Sequence, residues 1–113
     1  MNARLEARLW VAQRISAMAL GLFVLIHLAT IVYAMRGGLS AAEVLSRTRG
    51  NAPLAAFYAL FVVSVSVHAP IGLRAILDEW FALRGRLVDW LLLVAGLALA
   101  AWGLRAVAAV FAG

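Results

Sequence analysis

Two histidines are the residues of this chain best suited to chemistry. His27 and His68 are its only histidines, and each lies inside a long apolar segment. Hydrocarbon offers an ionisable side chain no hydrogen bonds, so such a group at bilayer depth usually marks a functional site. A neutral imidazole can bind a metal ion through one nitrogen, or it can form a hydrogen bond between helices. The two histidines therefore predict either a metal-centred site or buried interhelical hydrogen bonds.

The composition indicates an integral membrane protein. Of the 113 residues, 66% are hydrophobic and 13% are charged, whereas about 25% of a typical soluble domain is charged. Segments 15–35 and 53–73 contain no charged residue, and segment 90–110 contains only Arg105. About 20 apolar residues in a helix cross a bilayer. We therefore expect an all-α membrane protein, a single domain of residues 1–113 with transmembrane helices at about 15–35, 53–75 and 88–110.

The segment ahead of the first span has a different pattern. Residues 2–13 place apolar side chains on one side and charged side chains mostly on the other, which predicts a short N-terminal interfacial helix. Six arginines fall on the membrane side that holds the N-terminus and four on the other side, which favours a cytoplasmic N-terminus. These arginines are spread over the helix ends, so we expect contacts with lipid headgroups and acidic partners, and no nucleic-acid binding.

The depths of the histidines constrain any redox centre. Cysteine is absent, which excludes thiolate-held iron–sulfur clusters and leaves histidine as the ligand. His27 lies about 20 Å beyond Arg14, and His68 about 9 Å beyond Arg74, measured from the same membrane surface. The offset of roughly 10 Å is too large for two axial ligands of one iron. We therefore expect each histidine to pair with a histidine of a second anchor chain, a copy or a homologous subunit, with two stacked haems per pair of chains.

The neighbours of His68 favour a planar ligand. Ser64 and Gly72 lie four residues before and after it, so small residues line this helix face. Arg14 and Arg74 could neutralise haem propionates at the membrane surface. The alternative for each histidine is a buried ring that bonds to a serine or a backbone carbonyl, and the arginines are equally typical of interfacial anchors.

Two motifs carry a resemblance to a known family. The first is Gln13-Arg14-Ile15-Ser16 followed by His27, and the second is the segment 66–74, Ser-Val-His-Ala-Pro-Ile-Gly-Leu-Arg, with Asp78 a few residues on. Together they resemble the cytochrome b membrane anchor of succinate dehydrogenase and fumarate reductase. The chain is most similar to the second half of the five-helix, di-haem type of this anchor.

The resemblance implies roles for individual residues. His68 corresponds to the axial ligand found on helix two of the haem-bearing members, and His27 to the outer-haem ligand of the di-haem type. Arg14 falls on an arginine associated with the inner quinone pocket and the haem propionates. Gly72 falls where the macrocycle packs. The implied cofactor is haem b with bis-histidine ligation, and quinone is the implied substrate.

The implied quinone site departs from the family pattern. In the one-haem, two-chain type, a histidine often precedes the arginine and a serine lies four residues before it, whereas this chain has Gln13 and Trp10 at those positions. Asp78 or Glu79 corresponds to the family aspartate. Trp80 lies near the position of a quinone-binding tyrosine.

The resemblance implies a membrane anchor that passes electrons between an iron–sulfur subunit and membrane quinone through haem b. The iron–sulfur and flavoprotein subunits would lie on the cytoplasmic face of a bacterial inner membrane and catalyse the dicarboxylate reaction. The loop from Asp78 to Asp89, beside the N-terminus, would form their docking platform. Two alternatives stay open: a haem-free structural anchor, and an anchor for a related flavoprotein dehydrogenase that acts on another organic acid.

Overall fold

The computed structural model describes residues 3–113 and consists of four helices. They are α1 (Ala3–Arg36), α2 (Ala41–Thr48), α3 (Ala52–Phe81) and α4 (Arg86–Ala112). α1, α3 and α4 are long and apolar enough to cross a membrane, and the bundle is 50 Å long and 23 Å across. The expectation of an all-α membrane protein with three spans is confirmed.

The N-terminal segment differs from the expected interfacial helix. The described part of residues 2–13 forms the first turns of α1, which runs without a break from Ala3 to Arg36. The segment from Ala3 to Arg14 contains no glycine or proline, so nothing in the backbone interrupts the helical hydrogen bonds there. The amphipathic pattern therefore marks where α1 leaves the apolar layer.

The connection between α1 and α3 is defined by glycine and by capping side chains. Gly38, in the left-handed region with φ +65°, follows the end of α1. Ser40 and Glu43 form a capping box that starts α2. The Asn51 side chain accepts a hydrogen bond from the Leu54 amide and caps α3. The connection between the first two spans thus contains one short helix, α2.

α3 is the central helix, with α1 and α4 packed against it. Two glycines of α4 permit the close approach of α4. A Cβ placed on Gly103 would clash with Val62, and a Cβ placed on Gly96 would lie 3.0 Å from both the Ser66 carbonyl and Pro70. Pro70 has no amide hydrogen to give the Ser66 carbonyl one turn earlier. Because Gly96 has no side chain, α4 lies directly against the α3 backbone at Ser66 and Pro70.

The two ends of the bundle differ in composition. The N-terminal end contains the start of α1, the end of α3 and the start of α4, and it carries three ion pairs. At the C-terminal end, the turn after α2 bonds to the last turn of α4, where Thr48 Oγ1 donates to the Val110 carbonyl and the Gly50 amide donates to the Phe111 carbonyl. α4 is thus held by polar contacts at both of its ends.

Most large apolar side chains of the described chain face outward. Leu92 is the one buried apolar residue among residues 3–113, and Ser16 is the one buried polar residue. Outward apolar surface suits hydrocarbon or another transmembrane chain, because neither requires burial inside this chain.

Candidate functional site: two histidines on the α1–α3 interface

The His68 site is a contact between α3 and α1. The His68 Nδ1 atom lies 3.3 Å from the Ser16 Oγ atom, and Ser16 is only 6% exposed. Ser16 Oγ also lies 3.1 Å from the backbone carbonyl of Gln13, to which it donates. This is the usual serine bond to its own helix three residues back.

The hydrogen bond from Ser16 to its own helix favours one tautomer of His68. A serine hydroxyl has one hydrogen, and here Gln13 accepts it. Ser16 can then only accept from the imidazole, so the proton of a neutral His68 is on Nδ1. The other ring nitrogen, Nε2, carries the free lone pair, which is the tautomer that a metal ligand requires. In this arrangement Nε2 of His68 carries a lone pair that no described residue uses.

The His27 site is also a contact between α1 and α3, but with a tyrosine. The His27 Nδ1 atom lies 3.1 Å from the Tyr58 hydroxyl. Phe61 packs edge-on against the imidazole, with ring centroids 5.8 Å apart, and Phe23 and Phe57 extend the aromatic cluster. Aromatic rings hold the plane of the imidazole without adding polar groups.

Beside His27 lies a cavity of about 430 Å³, between the end of α1, α2 and the start of α3. His27 and Tyr58 line its wall with Thr30, Tyr33 and Arg47, among mostly apolar side chains. The Arg47 guanidinium lies over the Tyr33 ring at 5.9 Å. The site therefore combines an apolar space with a few hydroxyl groups and one cation.

The two histidines lie at clearly different levels of the bundle. His68 is level with Ser16, and the helical rise from Ser16 to His27 on α1 is about 16 Å. This separation exceeds the offset of roughly 10 Å expected from the sequence, because the tilt and pairing of α1 and α3 set the level of His68. Two axial ligands of one iron lie at one level, so the geometry supports two separate sites.

Gly72 and Ser64, which the sequence assigned to a macrocycle, have different surroundings. A Cβ placed on Gly72 would lie 3.1 Å from Gln13 Nε2, so Gly72 admits a side chain of α1. The Gln13 Oε1 atom is buried and has no hydrogen-bond partner among residues 3–113. Ser64 is half-buried. The Gln13 Oε1 atom, next to Gly72, which lies one turn from His68, is thus a hydrogen-bond acceptor that no residue of 3–113 uses.

The Arg74 guanidinium forms ion pairs with two carboxylates. Its Nε lies 2.9 Å from Asp89 Oδ1 and its Nη2 lies 3.2 Å from Glu6 Oε1. These pairs join α3 to α1 and to α4. Arg14 has no ion pair with any residue from 3 to 113, and its guanidinium lies 5.0 Å from the centre of the Trp10 ring. Arg14 is therefore the more available cation for a carboxylate from outside the chain.

The proposed quinone residues fall into two groups. Trp10 and Arg14 stack on each other on α1. On α3, Asp78 Oδ1 lies 2.6 Å from Arg84 Nε, and Trp80 is 78% exposed. Within residues 3–113, no hydrogen bond or ring contact joins the two groups.

The donor set at each histidine site is a single imidazole, which is what an axial haem ligand requires. The described residues contain no group of three or more histidines, cysteines or acids that could hold a metal ion. Each site instead provides one imidazole, with its Nδ1 edge held by a hydroxyl. Haem iron needs only axial ligands from protein, because the porphyrin supplies the other four. A second imidazole from another chain would complete each site.

Sequence reasoning identified both histidines but not their hydroxyl partners. Ser16 appeared only as part of a motif, and Tyr58 was not singled out. Nothing in the spacing of Tyr58 distinguishes it from a packed aromatic residue, since its meaning depends on which residue of α1 lies opposite.

Comparison with known proteins agrees with the resemblance. The family described as the succinate dehydrogenase/fumarate reductase transmembrane subunit matches residues 1–111. No curated protein and no solved structure matches the chain. With nearly the whole sequence matched and three apolar spans in the fold, the chain belongs to the family of succinate dehydrogenase/fumarate reductase transmembrane subunits.

Proposed function

We propose that this membrane anchor carries haem b and passes electrons between an iron–sulfur subunit and membrane quinone. The observation that carries the proposal is the proton arrangement at His68. Ser16 gives its hydrogen to the Gln13 carbonyl and so leaves Nε2 of His68 as a lone-pair donor. A free lone pair on Nε2 is what an axial ligand needs, and a histidine that only joined two helices would have no use for it.

A second transmembrane chain completes the two sites. His68 and His27 are too far apart along the bundle to share an iron, and each site has one imidazole. A copy of this chain or a homologous subunit supplies the second axial ligand, so a pair of anchor chains holds two haems. The outward apolar surface of the spans can accommodate such a neighbour.

Haem b held by two imidazoles would supply one-electron transfer. The protein side chains bind and orient the group. Arg14, which has no acidic partner among residues 3–113, is the residue we assign to a propionate. Arg74 holds the helices together through Glu6 and Asp89, so its contribution to a propionate would be indirect.

The soluble partners belong at the N-terminal end of the bundle. An iron–sulfur subunit must lie within electron-transfer distance of a haem, and this end is the nearer one to His68. The six-to-four arginine distribution supports a cytoplasmic position for this end, in a bacterial inner membrane as proposed. Quinone would bind near the same surface, where Trp10, Arg14, Asp78 and Trp80 are located. The flavoprotein would carry out the dicarboxylate reaction.

A haem-free anchor is the second candidate function. Both histidines already have a hydroxyl partner inside the chain, and such a partner alone satisfies a buried imidazole. In that case the histidines would serve only to join α1 and α3. The same fold would also serve a related flavoprotein that acts on another organic acid.

A redox difference spectrum of the purified membrane complex tests the proposal. We expect the absorption of haem b, with one haem per copy of this chain if a homodimer holds two. The amount of soluble subunits that copurify shows whether the complex is intact. Their activity with different organic acids identifies the substrate. A complex that contains both soluble subunits but no haem b would favour the haem-free anchor.

A further inference from the structure

We propose that Tyr58 is a positioning residue for His27: its hydroxyl oxygen accepts the Nδ1 hydrogen of His27, which makes Nε2 the atom that binds iron. This inference rests on the proposed haem function. It concerns the His27 site alone and leaves the assignment of His68 unchanged.

The geometry restricts Tyr58 to one edge of the imidazole. The Tyr58 oxygen lies 3.1 Å from Nδ1, and the two rings are nearly perpendicular, with an interplanar angle of 88°. Phe61 packs on the imidazole at the same angle of 88°. The ring of His27 is therefore fixed by two aromatic residues of α3, and only Tyr58 of the two can form a hydrogen bond.

The proton of Tyr58 has two arrangements. If Tyr58 donates to Nδ1, the hydrogen of a neutral His27 is on Nε2, and that nitrogen cannot bind a metal. If His27 donates from Nδ1, Nε2 has a free lone pair. Ser16 excludes the first arrangement at His68 because it donates to Gln13. Tyr58 has no such second acceptor among the described residues, so its hydrogen is open to both arrangements, and we assign the second one to His27.

The cavity beside His27 has room for the phenol hydrogen in the second arrangement. Tyr58 and His27 both line it, and Thr30 and Thr48 are polar residues on the same wall. Once the oxygen of Tyr58 accepts from His27, its own hydrogen turns away from the imidazole. The cavity, of about 430 Å³, leaves the hydroxyl hydrogen room to turn.

An acceptor on the outer edge of a ligating imidazole strengthens the ligand. It raises the electron donation of Nε2 to the metal, and loss of such a partner typically costs 10–100-fold in affinity or activity. Stronger donation favours ferric over ferrous iron. Removing the Tyr58 hydroxyl should therefore raise the reduction potential of the haem held by His27.

The first experiment measures the tautomer of His27 without haem. The full chain, labelled with ¹⁵N-histidine and placed in lipid nanodiscs, reports which ring nitrogen carries hydrogen. We expect His27 with hydrogen on Nδ1 in the parent chain and a shift toward hydrogen on Nε2 in Tyr58→Phe. Hydrogen on Nε2 in the parent chain would overturn the inference, because Tyr58 would then be the donor.

The second experiment measures the potentials of the haem-loaded complex. Tyr58→Phe should raise the potential of one haem by about 59 mV, which is a tenfold change for a one-electron couple, and leave the other unchanged. Loss of that haem alone would also support the inference, because phenylalanine keeps the ring packing. Tyr33→Phe is the matched control: Tyr33 lines the same cavity from α1, and its substitution should leave both potentials unchanged.

The outcomes separate this inference from the proposed function. Two haems with unchanged potentials in Tyr58→Phe overturn the role of Tyr58 and leave the function intact. A parent complex with one haem, bound by His68, also overturns the inference and leaves the electron-transfer role of His68. A parent complex with no haem contradicts the proposed function itself.

Discussion

The His68 and His27 sites share a design but differ in what fixes the imidazole. Each places a histidine between α1 and α3, with a hydroxyl of the opposite helix on Nδ1. At His68 the hydroxyl is a buried serine whose hydrogen is already given to its own helix. At His27 it is a tyrosine beside a cavity, with its hydrogen free to take either direction. The chain therefore favours one tautomer at His68, whereas at His27 the direction of the Tyr58 hydrogen decides the tautomer.

The difference follows from the reach of the two side chains. The serine hydroxyl lies close to its own backbone and can donate three residues back along the helix. The tyrosine hydroxyl lies at the far end of a ring and cannot reach its own helix carbonyls. A short hydroxyl therefore fixes the proton of its neighbour more firmly than a long one.

Removing either histidine should have the largest effect and tests whether the sites are separate. We expect His68→Ala to remove one haem of the two sites while the chain still inserts in the membrane. His27→Ala should remove the other. The haem-to-protein ratio of each purified variant would fall to about half that of the parent.

The comparison would fail if each substitution removed all haem, since the histidines would then serve one site. An unchanged ratio in His68→Ala would contradict the assignment of His68. An unchanged ratio in His27→Ala would leave His27 as a purely structural residue.

Charge reversal should distinguish the two ends of the bundle. We expect Arg86→Glu, at the N-terminal end, to weaken retention of the soluble subunits by on the order of tenfold at low salt. Added salt should reduce the difference from the parent complex, because it screens the lost attraction. Retention is measured by copurification with the tagged anchor.

Arg47→Glu is the control at the C-terminal end and should leave retention unchanged. If Arg47→Glu releases the soluble subunits and Arg86→Glu does not, the partners bind the opposite end. The cytoplasmic assignment of the N-terminus would then be reversed.

Ser16→Ala tests whether the serine hydroxyl acts on His68 in the way proposed for the Tyr58 hydroxyl on His27. Without Ser16 the Nδ1 hydrogen of His68 loses its acceptor, so the potential of that haem should rise by up to about 59 mV, a tenfold change in a one-electron couple. Redox titration of the purified complex measures it. Ser66→Ala is a matched control, because Ser66 also donates to its own helix, at the Val62 carbonyl.

An equal shift in both serine variants would mean that the effect is general to the helix and independent of Ser16. A shift confined to the haem at His27 would exchange the two assignments.

Arg74→Gln should have the smallest effect. It removes two ion pairs with partly exposed carboxylates, and pairs of this kind contribute about 0–1 kcal/mol each. We expect a decrease in stability of about 1 kcal/mol, seen as a slightly lower Tm, with both haems retained. Arg84→Gln, which removes a more exposed pair with Asp78, should lower Tm less. Loss of the haem at His68 in Arg74→Gln would instead indicate a direct contact with a propionate.

The sequence by itself determined the class of protein and the candidate ligands. Two charge-free segments and a third that contains only Arg105 predicted three spans, since hydrophobic length depends only on local composition. The isolation of His27 and His68 in those segments was equally visible, because burying an unpartnered ionisable group in hydrocarbon is costly. The helices are longer than the predicted spans. α3 ends at Phe81 and not near residue 75, because charged residues can continue a helix beyond the apolar layer.

The residues that contact the histidines depend on how α1 packs against α3, which the sequence does not reveal. The antiparallel pairing of α1 with α3 sets Ser16 against His68 and Tyr58 against His27. It also brings Glu6 to Arg74 and fills the space beside Gly72 with a side chain of α1. A shift of the pairing by one turn, about 5.4 Å, would exchange every one of these partners without changing any hydropathy pattern. The local pattern fixes which face of a helix is apolar, and packing alone fixes which residue lies opposite.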